Sequence, residues 1–140
     1  MSRWAPGAQS RGMSSAATPQ AVKVFLADDS GPLRARIAGL LGAAATVVGE
    51  GESPHACIAG ILATHPDVVE LDIQLEGGQG LEVLRAVRAA DPGVAFVVFS
   101  NNSTPAYRKR YMGAGAACFL DKSTEFDQLA AAVKAAPNVH

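Results

Sequence analysis

From residue 22 onward, short apolar runs alternate with longer segments in which apolar residues recur at helical spacing. The apolar runs are typical of strands buried on both faces, and the longer segments are typical of helices that cover them. Five such strand–helix units follow one another between residues 22 and 136. The pattern predicts an α/β fold with a parallel sheet, right-handed crossovers and helices on both faces.

Local signals set the bounds of the predicted elements. Ser30 and Ser53 are placed to cap the first two helices, and each is followed by a proline in the first turn. Pro105 opens a fourth helix, and the last helix carries Phe126, Leu129 and Val133. The predicted strands are 22–27, 46–49, 67–72, 94–99 and 116–120, and a loop with three glycines covers 74–80.

Composition limits the classes of function. The chain has 140 residues, 49% apolar and 18% charged, which is ordinary for a globular domain. Its net charge is −1, so the chain has no excess of basic residues that would indicate a basic stripe for nucleic acid. We therefore expect no nucleic-acid partner. No apolar stretch reaches the roughly 18 residues of a membrane span, so we expect no membrane partner. The two cysteines, Cys57 and Cys118, fit small core residues in a reducing cytosol.

The two ends of the chain differ from the middle. Residues 1–20 contain two arginines, no acidic residue and no continuous apolar segment of the secretory type. We expect a disordered tail there, although composition alone leaves an organellar transit peptide open. The predicted domain covers 21–136, and 137–140 form a C-terminal tail.

Charged residues stand at the carboxyl ends of three predicted strands. Asp28 and Asp29 follow the first strand, Asp72 ends the third, and Lys122 follows the fifth. Because the carboxyl ends of parallel strands share one edge, we expect these side chains to meet in one crevice. Clustered carboxylates invite a hard cation such as Mg²⁺, and a neighbouring lysine suits a phosphoryl group. The sequence therefore predicts a site that takes up phosphate on an aspartate.

The charged residues and the motifs around them, in their order along the chain, resemble the receiver domain of two-component response regulators over about residues 21–136. The resemblance is to a stand-alone form similar to the chemotaxis receiver. The resemblance implies a doubly wound (βα)5, flavodoxin-like, three-layer sandwich with strand order 2-1-3-4-5. The matching motifs are Asp28-Asp29, Asp72 followed by Gly80, Val97-Val98-Phe99-Ser100, Gly113-Ala114-Gly115-Ala116 and Phe119-Leu120-Asp121-Lys122-Ser123.

The resemblance also implies a phosphoacceptor and a metal site. Asp72 would accept a phosphoryl group from a sensor histidine kinase or a histidine phosphotransfer protein. Mg²⁺ would be held directly by Asp29, Asp72 and the backbone carbonyl of Gln74. Asp28 would act mainly through water.

Three further residues receive roles from the resemblance. Lys122 would pair with a phosphoryl oxygen, and Ser100 would donate a hydrogen bond to another. Phe119 would turn inward as Ser100 moves, so that the two residues form a switch. The domain would then catalyse its own phosphorylation and dephosphorylation without being an enzyme of the usual kind.

Taken one by one, these residues have simpler explanations. Asp28 and Asp29 could only cap a helix, and Lys122 could be an ordinary surface lysine. Ser100 could be a turn residue, and Phe119 could be plain core. These separate explanations do not account for the shared placement of the residues at strand ends.

The chain departs from the usual motif at several positions, among them Ser100 in place of the commoner threonine and Phe119 in place of a tyrosine. Glu76 and Ser123 replace prolines, and Asn101 stands where a very small residue is usual and could crowd the site. Glu70 interrupts a strand predicted to be buried. Because a buried carboxylate is costly unless paired, we expect Glu70 to find a basic or hydrogen-bonding partner.

Residues 123–140 are enough for one helix and leave no room for a DNA-binding or enzymatic output domain. We therefore expect a stand-alone, cytoplasmic response regulator that signals by contact with an unknown protein effector, through its fourth helix, fifth strand and fifth helix. The alternative is a pseudo-receiver adaptor that binds partners without phosphoryl transfer. A phosphatase of the haloacid dehalogenase type is disfavoured, because Asp72 is not followed by the Asp-x-Asp pattern.

Overall fold

Five parallel strands form the central sheet of the computed structural model, which describes residues 21–138. Their order is β2-β1-β3-β4-β5, which confirms the expected order 2-1-3-4-5. The predicted tail 1–20 and residues 139–140 lie outside the described part of the chain. The strands are β1 (Val22–Ala27), β2 (Ala45–Gly51), β3 (Val68–Leu71), β4 (Ala95–Ser100) and β5 (Cys118–Asp121).

Five α-helices connect and flank these strands. The Ser30 and Ser53 hydroxyls accept hydrogen bonds from the backbone N–H groups of Leu33 and Ala56, which confirms both predicted caps. The last helix begins with a 3₁₀ turn over Phe126–Gln128. The helices are α1 (Gly31–Leu41), α2 (Pro54–Thr64), α3 (Gly80–Ala90), α4 (Pro105–Gly113) and α5 (Leu129–Ala135).

The sheet carries one apolar layer on each face, because successive strand residues point to opposite sides. In β3, Val69 and Leu71 join the layer covered by α2, α3 and α4, whereas Val68 joins the layer covered by α1 and α5. This arrangement confirms the three-layer sandwich. Cys57 lies in the first layer, and burial raises the pKa of its thiol to about 12.

The segment predicted as a loop over 74–80 contains a small antiparallel hairpin. Gln74–Leu75 pairs with Gly78–Gln79, and Gly77 turns the chain with a φ of 80°. Glycine adopts this left-handed conformation without a Cβ penalty.

No helix among the described residues is both long and apolar enough to cross a membrane.

Close packing between α2 and β1 makes Gly60 a test of the fold. A Cβ on Gly60 would lie 2.7 Å from Cε2 of the buried Phe25 ring. We expect Gly60→Ala to lower the free energy of unfolding by about 1–3 kcal/mol in urea titrations, because overpacking outweighs the helix propensity of alanine. The control is Gly39→Ala in α1, where a Cβ would meet no described neighbour within 4 Å. This change should raise stability by about 0.5–1 kcal/mol, and a rise at both positions would contradict the packing.

Candidate functional site

The predicted charged residues meet at the carboxyl edge of the sheet. Asp28 and Asp29 follow β1, Asp72 follows the adjacent β3, and Lys122 follows β5. Each of the three aspartates offers a carboxylate oxygen, and these oxygens all lie within 4.8 Å of one another. The structure therefore brings together the residues that the sequence pattern placed at one edge.

One ammonium group joins two of the carboxylates. Lys122 Nζ lies 2.9 Å from Oδ2 of Asp28 and 3.0 Å from Oδ2 of Asp72. The second oxygen of each aspartate accepts a backbone hydrogen bond, from Ser30 N to Asp28 at 3.0 Å and from Ile73 N to Asp72 at 2.7 Å. Both carboxylates are buried, so these contacts replace the solvation that water would have supplied.

The protonation equilibria of Asp72 and Lys122 show opposing effects. Burial raises the pKa of the Asp72 carboxyl above its ordinary value, and the charge and hydrogen bond of Lys122 act against that rise. Burial also acts to lower the pKa of Lys122, but its contacts with Asp28 and Asp72 outweigh burial and leave that pKa raised. Lys122 is therefore held as an ammonium ion, which favours ionised aspartates around it.

The backbone at Asp72 is held by the start of α3. Gly80 N donates to the carbonyl of Ile73 at 2.7 Å, and a Cβ on Gly80 would lie 2.2 Å from the Asp72 carbonyl oxygen. A backbone atom cannot move aside as a flexible side chain can. Glycine at this position is thus what allows the hairpin and α3 to pack directly behind Asp72.

The oxygen-rich cluster fits a hard divalent cation. Asp29 is exposed, and its carboxylate makes no hydrogen bond or ion pair within residues 21–138. Gln74, in the hairpin that follows Asp72, also has an exposed side chain. Carboxylate and carbonyl oxygens are the ligands that Mg²⁺ takes in proteins, usually together with several waters.

The two predicted switch residues lie on β4 and β5. Ser100 is buried, and its hydroxyl oxygen accepts a hydrogen bond from Asn102 N at 3.1 Å, which leaves the hydroxyl proton able to donate. Phe119 already lies inward, with its ring packed edge-on against Tyr111 at 6.2 Å. Asn101 is exposed beside Ser100.

Arg34 and Arg108 support the site, and sequence reasoning gave neither a role there. Arg34 donates to the backbone carbonyl of Asp28 at 2.6 Å. It also pairs with Glu50 in β2 and with Glu52 just after that strand. Arg108 donates to the Phe119 carbonyl at 3.0 Å and pairs with Glu125. Nothing in the local sequence pattern identifies either contact.

The prediction that Glu70 finds a partner is wrong. Glu70 lies in β3 between Leu26 of β1 and Val97 of β4, and its side chain is fully buried. Neither of its carboxyl oxygens has a hydrogen-bond partner among the described residues. Burial, followed by the charge of Asp28, raises the pKa of Glu70 well above its ordinary value. Burial therefore favours the protonated form of this carboxyl, which has no pairing partner among the described residues.

The comparison with known proteins points to one family. A model of the response regulator receiver domain matches residues 24–134. The DNA-binding transcriptional activator DevR/DosR of Mycobacterium tuberculosis is 34% identical over 115 residues, which cover 81% of this chain and 53% of that protein.

Two solved structures show the same likeness. The signal receiver domain of NarL from Mycobacterium tuberculosis superposes with a TM-score of 0.80 at 29% identity, covering 87% of this chain and 100% of that one. A LuxR-family two-component response regulator from Aurantimonas sp. SI85-9A1 has a TM-score of 0.79 at 25% identity, covering 84% of this chain and 86% of that one.

The prediction of no nucleic-acid partner is wrong, because the net charge of −1 on which it rested does not exclude such a partner. A relative that matches most of this chain is itself named a DNA-binding transcriptional activator. The matched residues make up between 30% and 59% of the length of the curated relatives. The net charge of one such segment therefore cannot exclude nucleic acid.

Removing the ammonium group tests the electrostatics of the site. We expect Lys122→Met to lower the free energy of unfolding by about 3–5 kcal/mol near neutral pH, because Asp28 and Asp72 lose their shared counter-ion. Chemical denaturation with and without Mg²⁺ measures the change, and Mg²⁺ should restore part of the loss. The control is Lys109→Met, which removes an exposed lysine. Equal losses in both variants would contradict the pairing.

Glu70 gives the protein a specific pH dependence. Because the pKa of Glu70 is higher in the folded state, folding takes up a proton. The free energy of unfolding is therefore not reduced by Glu70 below about pH 4.3, and it declines as pH rises above that value. We expect the free energy of unfolding of Glu70→Gln to rise relative to that of the wild type by up to about 1.4 kcal/mol per pH unit over this range. Urea unfolding across the pH range measures the difference, with the exposed Glu76→Gln as control. A constant difference between Glu70→Gln and wild type would show that Glu70 does not titrate this way.

Proposed function

The chain belongs to the response regulator receiver domain family, and from this premise we propose that it accepts a phosphoryl group on Asp72 from a histidine kinase or a histidine phosphotransfer protein. The observation that carries the proposal is the contact of Lys122 with Asp28 and Asp72. It supplies a nucleophile and a fixed positive charge in one buried crevice.

The reaction moves one phosphoryl group. A carboxylate oxygen of Asp72 attacks the phosphorus of the phosphohistidine, and a new O–P bond forms as the N–P bond breaks. The electron pair of the broken bond returns to the imidazole nitrogen of the partner. Lys122 then pairs with one phosphoryl oxygen, and the Ser100 hydroxyl donates a hydrogen bond to another. Phe119, which already lies inward, stabilises the position that Ser100 takes.

The metal ligands that we propose follow the family resemblance. Asp28 would contact Mg²⁺ mainly through water. Asp29, Asp72 and the backbone carbonyl of Gln74 would be the direct ligands. Mg²⁺, when bound, would supply positive charge to the transferring phosphoryl group.

The output of the receiver stays a prediction. The curated relatives include transcriptional regulators of which the matched residues form only a part, so neither a stand-alone organisation nor a particular effector follows from the match. We retain signalling by contact of α4, β5 and α5 with a partner protein, and a cytoplasmic location, as expectations.

The test uses a small phosphodonor in place of the kinase. The protein is incubated with acetyl phosphate and Mg²⁺, and its intact mass is recorded, since the only tryptophan, Trp4, lies outside the described residues. We expect a single phosphoryl adduct that is lost in Asp72→Ala and in the presence of EDTA. The control is Asp127→Ala, which removes an exposed aspartate outside the cluster and should keep the adduct.

Three other results would change the conclusion. Failure of both Mg²⁺ binding and adduct formation would make the chain an adaptor of the pseudo-receiver type. Binding of Mg²⁺ without an adduct would leave Asn101 as an obstruction, and Asn101→Ala should then restore the adduct. An adduct retained in Asp72→Ala would place the phosphoryl group on another residue and overturn the assignment.

A further inference from the structure

A cleft of about 770 Å³ lies between α3 and α4, outside the carboxylate site. Arg85 and Arg88 line it from α3, and Lys109 and Arg110 line it from α4. The rest of its lining is small residues, and none of the described residues that line it is acidic. We call this surface the α3–α4 cleft.

The four cations of the α3–α4 cleft are uncompensated within the described part of the chain. Elsewhere, Arg34, Arg108 and Lys122 each pair with carboxylates. In the cleft no lining cation forms an ion pair within residues 21–138. Arg88 only donates to the Pro92 carbonyl at 3.5 Å. The chain as a whole has a net charge of −1, so this concentration of positive charge is local. An anionic partner would relieve the mutual repulsion of these side chains.

We propose that the α3–α4 cleft docks an acidic segment of a partner protein. A small anion would gain little there, because Arg85, Lys109 and Arg110 are exposed and their charges are screened by salt. A peptide segment can place several carboxylates against both helices at once and cover the small residues between them. Multiple simultaneous contacts offset the weakness of each exposed pair.

The surroundings of the cleft favour a short acidic segment over nucleic acid. Glu82 stands in the first turn of α3 and Asp91 caps its end, so acidic residues flank the basic wall along the helix. A long polyanion that ran along α3 would meet both of them. The described lining also contains no aromatic side chain on which a base could stack.

Both walls of the cleft are joined to the carboxylate site. The α3 wall begins at Gly80, which packs against the Asp72 carbonyl. The α4 wall is tied to β5 by the bond from Arg108 to the Phe119 carbonyl. The α3–α4 cleft therefore lies on elements that also hold the carboxylate site, and docking at the cleft does not rest on the proposed function.

Fluorescence anisotropy on the unphosphorylated chain tests docking alone. The probe is a labelled peptide that alternates glutamate with alanine, and the reference peptide has glutamine in place of glutamate. Arg85→Gln/Arg110→Gln removes one exposed cation from each wall, and Lys23→Gln/Lys134→Gln removes the same charge from exposed positions outside the cleft. We expect the acidic peptide to bind about tenfold more weakly to the cleft variant. The control variant should lose no more than about twofold.

Three results would overturn the proposal. The first is equal binding of the acidic and glutamine peptides, and the second is equal weakening in the two double variants. The third is a DNA duplex that binds more tightly than the peptide and depends on the same two arginines, which would assign the cleft to nucleic acid. Because no phosphodonor is present, a negative result here leaves the proposed phosphoryl transfer untouched.

Discussion

A single ammonium group between two buried carboxylates is the contact on which the site depends. Asp28 and Asp72 come from adjacent strands, and without a cation between them their negative charges would repel each other. Lys122 reaches both from β5, at 2.9 Å and 3.0 Å. This contact requires the parallel register that sets the ends of β1, β3 and β5 at one edge. A nucleophilic carboxylate can then be buried and still be ionised, which is what phosphoryl uptake on an aspartate requires.

The same strand shows how strongly local surroundings decide the state of a carboxyl group. Asp72 lies where the strand ends and has a lysine and a backbone N–H as donors. Glu70, two residues earlier, lies inside the sheet between Leu26 and Val97 and has no donor within the described residues. Asp72 is stabilised by a neighbouring charge, whereas burial favours the protonated form of Glu70. A buried acid beneath the site therefore makes the stability of the fold depend on pH in a way that an apolar residue would not.

Helix α4 separates three consecutive basic residues by function. Arg108 turns toward β5 and Glu125, whereas Lys109 and Arg110 turn toward α3. Successive residues of a helix are about 100° apart, so Arg108 can face β5 while the next two residues face α3. Arg108 ties the helix to β5, and Lys109 and Arg110 join Arg85 and Arg88 in a local excess of positive charge. A fixed helix thus presents that charge at a defined position.

The sequence by itself determined the order of elements, the caps at Ser30 and Ser53, and the placement of charged residues at the strand ends. These features depend on local signals, namely periodicity, capping and turn residues, and the strand order followed from the family resemblance. The tertiary structure decided which side chains meet. Lys122 and Asp28 are 94 residues apart in the chain, and no local pattern shows that Glu70 lacks a donor or that Arg108 faces inward. The α3–α4 cleft likewise arises only when separate segments pack together. Contacts between distant segments depend on the packing of the whole sheet, and for that reason the sequence could place the charged residues at one edge but could not define their individual contacts.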